Sequence, residues 1–160
     1  MTSPIRPTDD QARALAQSLM SKARFAALAV VLDSGAPLVT RVGFGVDPEG
    51  RPLSLVSSLS MHSGALQANP LCSLLVGEPG VKGDPLTHPR LSLICRASFL
   101  RHADDGYGAL AAHYLRDHPK AKLYIGFADF AFVRFDIREA HLNGGFGKAF
   151  HLTPQDLNQG

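Results

Sequence analysis

The sequence predicts a mainly β protein of the α+β class, in which a small closed barrel of short, mostly antiparallel strands carries short helices at its periphery. Three observations support this prediction. Apolar and polar residues alternate in about seven short segments, as in half-buried strands. Turn-forming combinations of Asp, Pro, Ser and Gly separate these segments, and a few other segments have helical periodicity. At 160 residues, the chain is expected to form a single domain, 1–160.

The N-terminal third is predicted to form one helix and a three-stranded antiparallel meander. Residues 8–11 (TDDQ) fit a capping box, and the apolar spacing after them predicts an N-terminal helix that ends at about residue 22. Two turns rich in Asp and Gly then separate three strands, at 25–32, 38–46 and 53–58. Gly43 and Gly45 share one face of the second strand, which indicates that another backbone or a flat ligand comes close.

The rest of the chain alternates strands with short helices. The periodicity places, in order, a helix at 63–69, strands at 71–77 and 90–101, a helix from Asp104 to about 117, a helical turn near 120–127, and strands at 129–138 and 142–152. Residues 78–88 are rich in Gly and Pro and are predicted to form a mobile loop. The tail, 153–160, is predicted to be loosely ordered.

Composition argues against several classes of function. Charged residues make up 19% of the chain and the formal net charge is only +2, so we expect no nucleic-acid partner. The N-terminus is polar and no apolar run approaches the roughly 20 residues that cross a bilayer, so we expect neither a signal peptide nor a membrane span. Cys72 and Cys95 lie in apolar runs and are predicted to be buried free thiols, which favours a cytoplasmic protein.

Common catalytic and metal-binding motifs are missing from the sequence. No G-x-S-x-G is present, and no G-x-G-x-x-G follows a strand into a long helix, which argues against a serine hydrolase and a Rossmann fold. The histidines lack the spacing of a zinc site; His113 and His118 are five residues apart, which places them on different sides of a helix. We therefore predict no metal ion and assign no catalytic residue.

One distinctive stretch is a predicted strand that ends in hydroxyl residues and leads into a short helix. Ser57 and Ser58 lie at the strand end, and His62 and Ser63 follow at the helix start. Hydroxyls and backbone amides at the start of a helix suit an anion. Arg41 points away from the apolar side of a neighbouring strand, and its guanidinium could pair with a phosphate dianion beside them.

A second distinctive stretch lies near the end of the chain, where residues 144–147 (GGFG) are followed by Lys148. Two interpretations remain open. The glycines could form a bend that lets backbone pack against a flat ring, or they could form a β-bulge that binds no ligand.

Together these stretches resemble a known family. Segments 57–63 (SSLSMHS), 69–75 (NPLCSLL) and 144–149 (GGFGKA) are similar to the split barrels that bind flavin mononucleotide (FMN) in the pyridoxamine 5′-phosphate oxidase-like superfamily. Within that superfamily, the sequence is closest to the haem-utilisation branch. The resemblance extends over about 25–150 and includes shorter pieces: DPL at 84–86, RLSL at 90–93, YL at 114–115, HP at 118–119 and DF at 129–130.

The resemblance implies an antiparallel split β-barrel that forms a homodimer, with two flavin sites at the dimer interface. Residues that would bind the FMN phosphate are Arg41, Ser57, Ser58, His62 and Ser63. Residues that would lie along the ring system are Val42 and Leu59. Residues that would approach from near the partner chain are Gly145, Phe146 and Lys148.

The function that the resemblance implies is a small FMN-dependent oxidoreductase with an unknown small-molecule substrate. Two departures leave alternatives open: no counterpart of the oxidase's phosphate-binding lysine is evident, and Cys95 stands where relatives often have glycine. One alternative is haem binding or haem utilisation in the same dimer cleft, with His151, a strand histidine that we expect to face solvent, as a substitute for the relatives' C-terminal haem ligand. Further alternatives are a non-catalytic flavin-binding module and a barrel with an empty site.

Overall fold

The computed structural model describes residues 4–159, and in this part of the chain nine strands are accompanied by three α-helices. The strands are β1 (Ile5–Arg6), β2 (Phe25–Val31), β3 (Pro37–Gly43), β4 (Gly45–Val46), β5 (Pro52–Ser57), β6 (Leu71–Val76), β7 (Arg90–Leu100), β8 (Phe130–Asn143) and β9 (Ala149–Leu152). The helices are α1 (Asp10–Lys22), α2 (Met61–Ala68) and α3 (Tyr107–Asp117). Short 3₁₀ helices lie at Pro85–Thr87, Pro119–Leu123 and Gln155–Leu157. The predicted mainly β class is confirmed.

All the described strands belong to one mixed sheet with the order β1-β9-β8-β7-β6-β2-β3. β5 pairs with the first half of β8, and β4 pairs with β5. The pairing of β1 with β9 is parallel, whereas every other described pair is antiparallel. The antiparallel prediction is therefore right except at β1, whose two residues fell outside the predicted strands.

The sheet curves into a barrel that remains split between β3 and β5, so the closed barrel predicted from the strand pattern is wrong and the split barrel implied by the resemblance is right. Only Phe44 separates β3 from β4, so one stretch of chain pairs with β2 on one side and with β5 on the other. β3 and β5 themselves share no ladder of backbone hydrogen bonds among the described pairs. Instead, the Ser54 hydroxyl donates a hydrogen bond to the Gly43 carbonyl across this gap.

A bulge lengthens β8 beyond its predicted end at 138. Opposite β7, Ile94 pairs with Glu139 while Cys95 pairs with Ile137, so Arg138 is an extra residue in β8. The extra residue reverses the alternation of the strand. Odd-numbered residues such as Phe135 and Ile137 face the core before the bulge, and Ala140 and Leu142 face it afterwards. The predicted strand ended at 138 because it was recognised by period-two alternation, which the bulge interrupts.

Two clusters of buried side chains form the core. The larger fills the barrel between the sheet, α1 and α2, and it includes Leu28, Phe44, Leu93 and Phe135, each 0% exposed. The smaller cluster lies under α3, where Tyr107, Leu110 and Tyr114 pack against Leu53, Leu55 and Phe132. Cys72 and Cys95 are both buried and free, as predicted, and burial raises the pKa of the Cys72 thiol to about 12.

α1 and α3 begin slightly later than predicted, whereas α2 begins two residues earlier, at Met61. Asp9, rather than Thr8, is the N-cap of α1: its carboxylate accepts a hydrogen bond from the Ala12 N–H at 2.8 Å. α3 begins at Tyr107 because Gly106, in the left-handed region, precedes it, while the Asp104 carboxylate binds the Arg101 N–H at 2.7 Å. Within residues 4–159, no helix combines the length and apolar character needed to cross a membrane.

Gly43 and Gly45 make room for rings of the protein itself. A Cβ atom on Gly43 would overlap the Tyr114 hydroxyl, and one on Gly45 would lie 3.4 Å from the His118 ring. Tyr114 and His118 stack on each other with ring centroids 4.0 Å apart. What comes close to these glycines is therefore neither of the predicted partners, another backbone or a flat ligand: it is the rings of Tyr114 in α3 and of His118 just after it.

The C-terminal segment is packed, so the prediction of a loosely ordered tail is wrong for its described residues. Leu157 is 3% exposed and belongs to the main core. The Asp156 carboxylate accepts a hydrogen bond from Arg13 Nε at 2.7 Å, and the Gln17 side chain donates to the Asp156 carbonyl. Gln159 donates to the Gly50 carbonyl at 2.9 Å. The packing of this segment was not predicted because the segment contains few apolar residues. Polar contacts to α1 hold it in place instead.

Acid is expected to loosen this segment. Hydrogen bonds from the Thr153 N–H and then from Arg13 lower the pKa of Asp156. A lowered pKa stabilises the fold above the ordinary carboxyl pKa, and this contribution is lost as the pH falls through the folded-state value, below about pH 4. We expect Asp156→Asn to increase hydrogen exchange at the Leu157 amide several-fold at pH 7, and the difference from the parent protein to vanish in acid. Asp105→Asn, at an exposed position, is the control; an equal effect there would contradict the role of Asp156.

Candidate functional site

The outer surface of β2, β3 and β6 carries a groove of about 360 Å³. Even-numbered residues of β2 and β6, such as Leu28 and Leu74, point into the core, so the odd-numbered residues point outward. Outward side chains that line the groove include Phe25, Val39 and Leu75. The alternation of these strands therefore builds an apolar lining on the solvent side of the sheet.

This apolar surface continues beyond the groove. Large apolar side chains that are 38% to 65% exposed on these three strands are Phe25, Val31, Val39, Leu71 and Leu75. A second, shallower groove of about 220 Å³ lies beside Val31, Leu71 and Ile94 on the same face. Contiguous exposed apolar surface of this kind marks a binding or interaction site rather than ordinary solvent-facing sheet.

Arg41 is the one positively charged residue among those that line the larger groove. It is exposed on β3, opposite in direction to the buried Val42, as predicted. The Arg41 guanidinium carbon lies 5.6 Å from the centroid of the Phe25 ring, within the range of a cation–π contact. The stacked guanidinium can still donate hydrogen bonds to an acidic group placed over the apolar lining.

The predicted phosphate-binding serines form a tight turn between β5 and α2. Ser63 Oγ donates to the Ser57 carbonyl at 2.6 Å, and Ser60 Oγ lies 2.5 Å from the same carbonyl. Ser57 Oγ donates to Asp129 Oδ2 at 2.7 Å and accepts from the Leu59 N–H. The Ser58 N–H donates to the Asp129 carbonyl at 2.6 Å.

These hydrogen bonds change the interpretation of the turn. The hydroxyl protons of Ser57 and Ser63 already have acceptors, and the nearest carboxylate, Asp129, is negatively charged. A phosphate at this position would face the Asp129 charge and would have to displace internal hydrogen bonds. Asp129 was predicted only as the first residue of a strand; nothing in the sequence indicates that it lies beside Ser57, because the two are 72 residues apart.

His62 is half-buried at the start of α2, and its Nε2 lies 3.2 Å from Ser60 Oγ. Burial lowers the pKa of His62, because the charged imidazolium is poorly solvated there. The ring is therefore neutral at pH 7 and offers one N–H donor rather than a positive charge. Of the groups predicted to hold a phosphate, Arg41 alone brings a permanent charge.

Of the remaining predicted site residues, only Leu59 lies in this turn. Val42 is buried in the core, so only its backbone is available to a ligand, whereas Leu59 is 85% exposed. Ser57 pairs with Phe130 at the first residue of β8, whereas the bend of Gly145, Phe146 and Lys148 follows the last residue of the same strand. Within one chain, the two distinctive stretches therefore lie at opposite ends of β8.

The Gly-rich bend is the connection between β8 and β9. The Gly145 N–H donates to the Asn143 side chain at 2.9 Å, and the Gly144 N–H donates to the Lys148 carbonyl. Gly145 has a φ of +125°, in the region that favours glycine. The sequence left open whether the glycines serve a ligand or only the backbone, and the local backbone geometry accounts for them. Phe146, which is 76% exposed, leaves an apolar ring on the surface.

The split barrel and its outer groove define the class of protein. A Clostridium acetobutylicum protein related to general stress protein 26, of the pyridoxinephosphate oxidase family, superposes with a TM-score of 0.70. The match covers 94% of this chain and 99% of that chain at 13% identity, so it concerns the fold alone. The protein has the split-barrel fold of the pyridoxamine 5′-phosphate oxidase-like class, as the sequence predicted.

Within this class the family can be named. Residues 7–158 match the family described as CREG, beta-barrel, and the chain belongs to that family. It is 33% identical over 116 residues to the non-canonical heme oxygenase HOZ, chloroplastic, of Arabidopsis thaliana, a match that covers 72% of this chain and 34% of that protein. It also superposes on a heme binding protein from Mycobacterium smegmatis with a TM-score of 0.83 and 26% identity, over 96% of this chain and 61% of that chain. The chain thus spans about a third of the Arabidopsis relative and under two thirds of the mycobacterial one.

Proposed function

We propose that the protein binds haem in the groove beside Arg41. The observation that carries this proposal is the chemistry of the groove: an apolar lining of Phe25, Val39 and Leu75 with one exposed guanidinium above it. The lining also includes one carboxylate, that of Glu78, so we place the acidic edge of the ligand at Arg41 and away from Glu78. Haem combines a flat apolar macrocycle with two carboxylates at one edge, and this lining offers a matching partner to each part. The heme-related names of the Arabidopsis and mycobacterial relatives support the same choice.

The groove lacks one element of a complete haem site. No histidine, cysteine, tyrosine or methionine is among its lining residues, so it supplies no side chain of the kinds that usually bind haem iron. Haem, when bound, would supply iron for redox and oxygen chemistry, while the residues of this chain bind and orient the macrocycle. The groove has no side chain to bind the haem iron, and one side of it is open. We therefore propose that a further surface completes the site.

A second copy of this chain is the partner that we propose for that surface. The apolar residues of β2, β3 and β6 form one face that water would otherwise cover, and homodimer interfaces are rich in apolar side chains of this kind. Face-to-face association would bury Val39 and Leu75 and would convert the open groove into a cleft between the protomers. The homodimer predicted from the resemblance is proposed on this ground.

Haem titration tests the function. We expect a Soret band that shifts on binding, and an affinity about 10- to 100-fold lower for Arg41→Ala, because a charge-assisted hydrogen bond to a propionate contributes about 1.5–3 kcal/mol. Arg101→Ala is a matched control, since the Arg101 guanidinium also lies over a ring, that of Phe99, at 4.9 Å. An absent spectral shift, or equal affinities for the parent protein and Arg41→Ala, would contradict the proposed site.

FMN remains the second candidate ligand. The split-barrel fold and Arg41 favour it, whereas the Asp129 carboxylate beside Ser57 opposes a phosphate in the serine turn. FMN fluorescence is therefore followed in a parallel titration. Quenching of FMN fluorescence by the protein, without a spectral response to haem, would make the protein a flavoprotein. Turnover of a reductant would then separate an oxidoreductase from a non-catalytic flavin-binding module.

A further inference from the structure

Three metal-ligating side chains converge on the outer face of β8 and β9. His141 of β8 and His151 of β9 are directly opposite each other in the antiparallel register. Glu139 precedes His141 by two residues, and because side chains alternate along a strand it lies on the same face. The two histidines lie on different strands and are not close in the sequence, so the spacing of histidines did not predict the group.

The geometry brings their donor atoms together. His151 Nε2 lies 3.0 Å from Glu139 Oε2, and His141 Nε2 lies 3.8 Å from Glu139 Oε1. The imidazole rings are parallel, with an interplanar angle of 7° and centroids 4.8 Å apart. One donor atom from each of the three residues lies within 4.8 Å of the others. Ligands of a tetrahedral zinc ion are about 3.3 Å apart, so the ion fits with small side-chain rotations.

We propose that Glu139, His141 and His151 form a binding site for a divalent transition-metal ion of the zinc type. Two imidazoles and one carboxylate suit such ions, whereas calcium and magnesium prefer oxygen ligands alone. The three side chains are 42% to 48% exposed, so the ion keeps at least one position open to water or to a ligand. Three protein ligands with an open position are the arrangement of catalytic rather than of closed structural zinc sites.

The surrounding backbone holds the two histidines in place. The Thr8 hydroxyl donates to the His151 carbonyl at 3.0 Å, which ties β9 to the N-terminal segment. Ser92 of β7 pairs with His141 and adds a small polar neighbour on the same face. The ion would link β8 to β9 close to the Gly-rich bend, so its binding should stabilise this edge of the sheet.

The metal site is independent of the proposed haem groove. Paired residues lead across the sheet from Arg41 through Ala27, Leu75 and Ser92 to His141, and then to His151. Five steps between adjacent strands correspond to roughly 24 Å along the sheet. Leu75, which also lines the groove, is two of these steps from His141, roughly 10 Å, so the groove and the metal site share no residue but lie on neighbouring parts of the sheet. The zinc titration uses haem-free protein, so a failure of one proposal leaves the other intact.

Zinc and cobalt titrations of the metal-free, haem-free full chain test this proposal. We expect one Zn²⁺ per chain in a competition assay with a chromophoric chelator, visible d–d absorption on addition of Co²⁺, and a higher Tm with Zn²⁺. Removal of an outer-shell residue typically weakens metal binding 10- to 100-fold, so loss of a direct ligand in His141→Ala or His151→Ala should weaken it more than about 100-fold. Glu139→Gln should weaken it by a smaller factor.

His102→Gln, which removes an exposed imidazole elsewhere, is the matched control and should bind Zn²⁺ as the parent protein does. The Tm of each metal-free variant shows whether it is folded, and His151→Gln provides a conservative second variant. Loss of Zn²⁺ binding and of the Co²⁺ spectrum in folded variants of the three residues, with both retained in His102→Gln, supports the site. Unchanged affinity in a folded His141→Ala or His151→Ala protein overturns it.

Discussion

Gly77→Ala is expected to lower the free energy of unfolding by about 2–5 kcal/mol. Gly77 has a φ of +105°, and a Cβ there would lie 2.6 Å from the Pro89 carbonyl oxygen and 2.9 Å from the Arg90 Cα. The unfavourable backbone conformation costs about 1–2 kcal/mol. Overlap with backbone that cannot rotate away adds about 1–3 kcal/mol, as overpacking does in cores.

A second glycine allows the cost of the backbone conformation to be measured apart from the cost of the overlap. Gly35 also has a positive φ, +84°, but a Cβ added there would have no neighbouring atom within 4 Å. Gly35→Ala should therefore cost only about 1 kcal/mol. Thermal and denaturant unfolding of both variants measures the difference, and we expect the Tm of Gly77→Ala to fall by about 10 °C. Similar losses in the two proteins would show that the contact with Pro89 relaxes freely.

Gly77 also lines the groove beside Arg41, at the point where the chain leaves β6. A shift of Pro89 and Arg90 would move the start of β7 relative to β6. The substitution therefore connects stability to function: haem affinity of Gly77→Ala, measured at a temperature where the variant is folded, reports on the shape of the groove.

The local pattern of the sequence was sufficient to predict most of the elements, whereas the split-barrel fold was implied by the resemblance to a known family. Strands β2, β6 and β7 alternate regularly, because one face packs in the core and the other meets solvent. The prediction ended too early on β8, where Arg138 reverses the alternation, and it missed the packing of 153–159, which depends on the ion pair of Asp156 with Arg13. Both features depend on pairing between segments that are distant in the sequence.

The candidate site was predicted less completely for the same reason. Arg41 was found because an arginine that interrupts an apolar strand is visible locally. The contact of Ser57 with Asp129, the stacking of Tyr114 on His118 beside Gly43, and the convergence of His141 with His151 all join separate elements. Residue types in one stretch show what a side chain can bind, but the register of the sheet determines what it meets.

Val39→Asp is expected to abolish the proposed dimer without unfolding the chain. Val39 is 65% exposed on β3, so an aspartate there is solvated in the monomer and costs little stability. In a dimer formed through the apolar face, the carboxylate would be buried without a partner. An unpaired buried charge costs about 3–5 kcal/mol, so association should weaken more than 100-fold.

Val81→Asp provides the matched control, because Val81 is fully exposed in the loop between β6 and β7 and is not among the apolar residues of β2, β3 and β6. Light scattering after size exclusion should give a dimer for the parent protein and for Val81→Asp, and a monomer for Val39→Asp. Haem titration of the same proteins then separates two possibilities. Because Val39 also lines the groove, Leu71→Asp, on the same apolar face but outside the groove, is tested beside it. If both variants are monomeric and both lose haem binding while Arg41 remains, the cleft requires both protomers. If Val39→Asp stays dimeric, the apolar face is not the interface, and the exposed lining of the groove must be explained by a different partner.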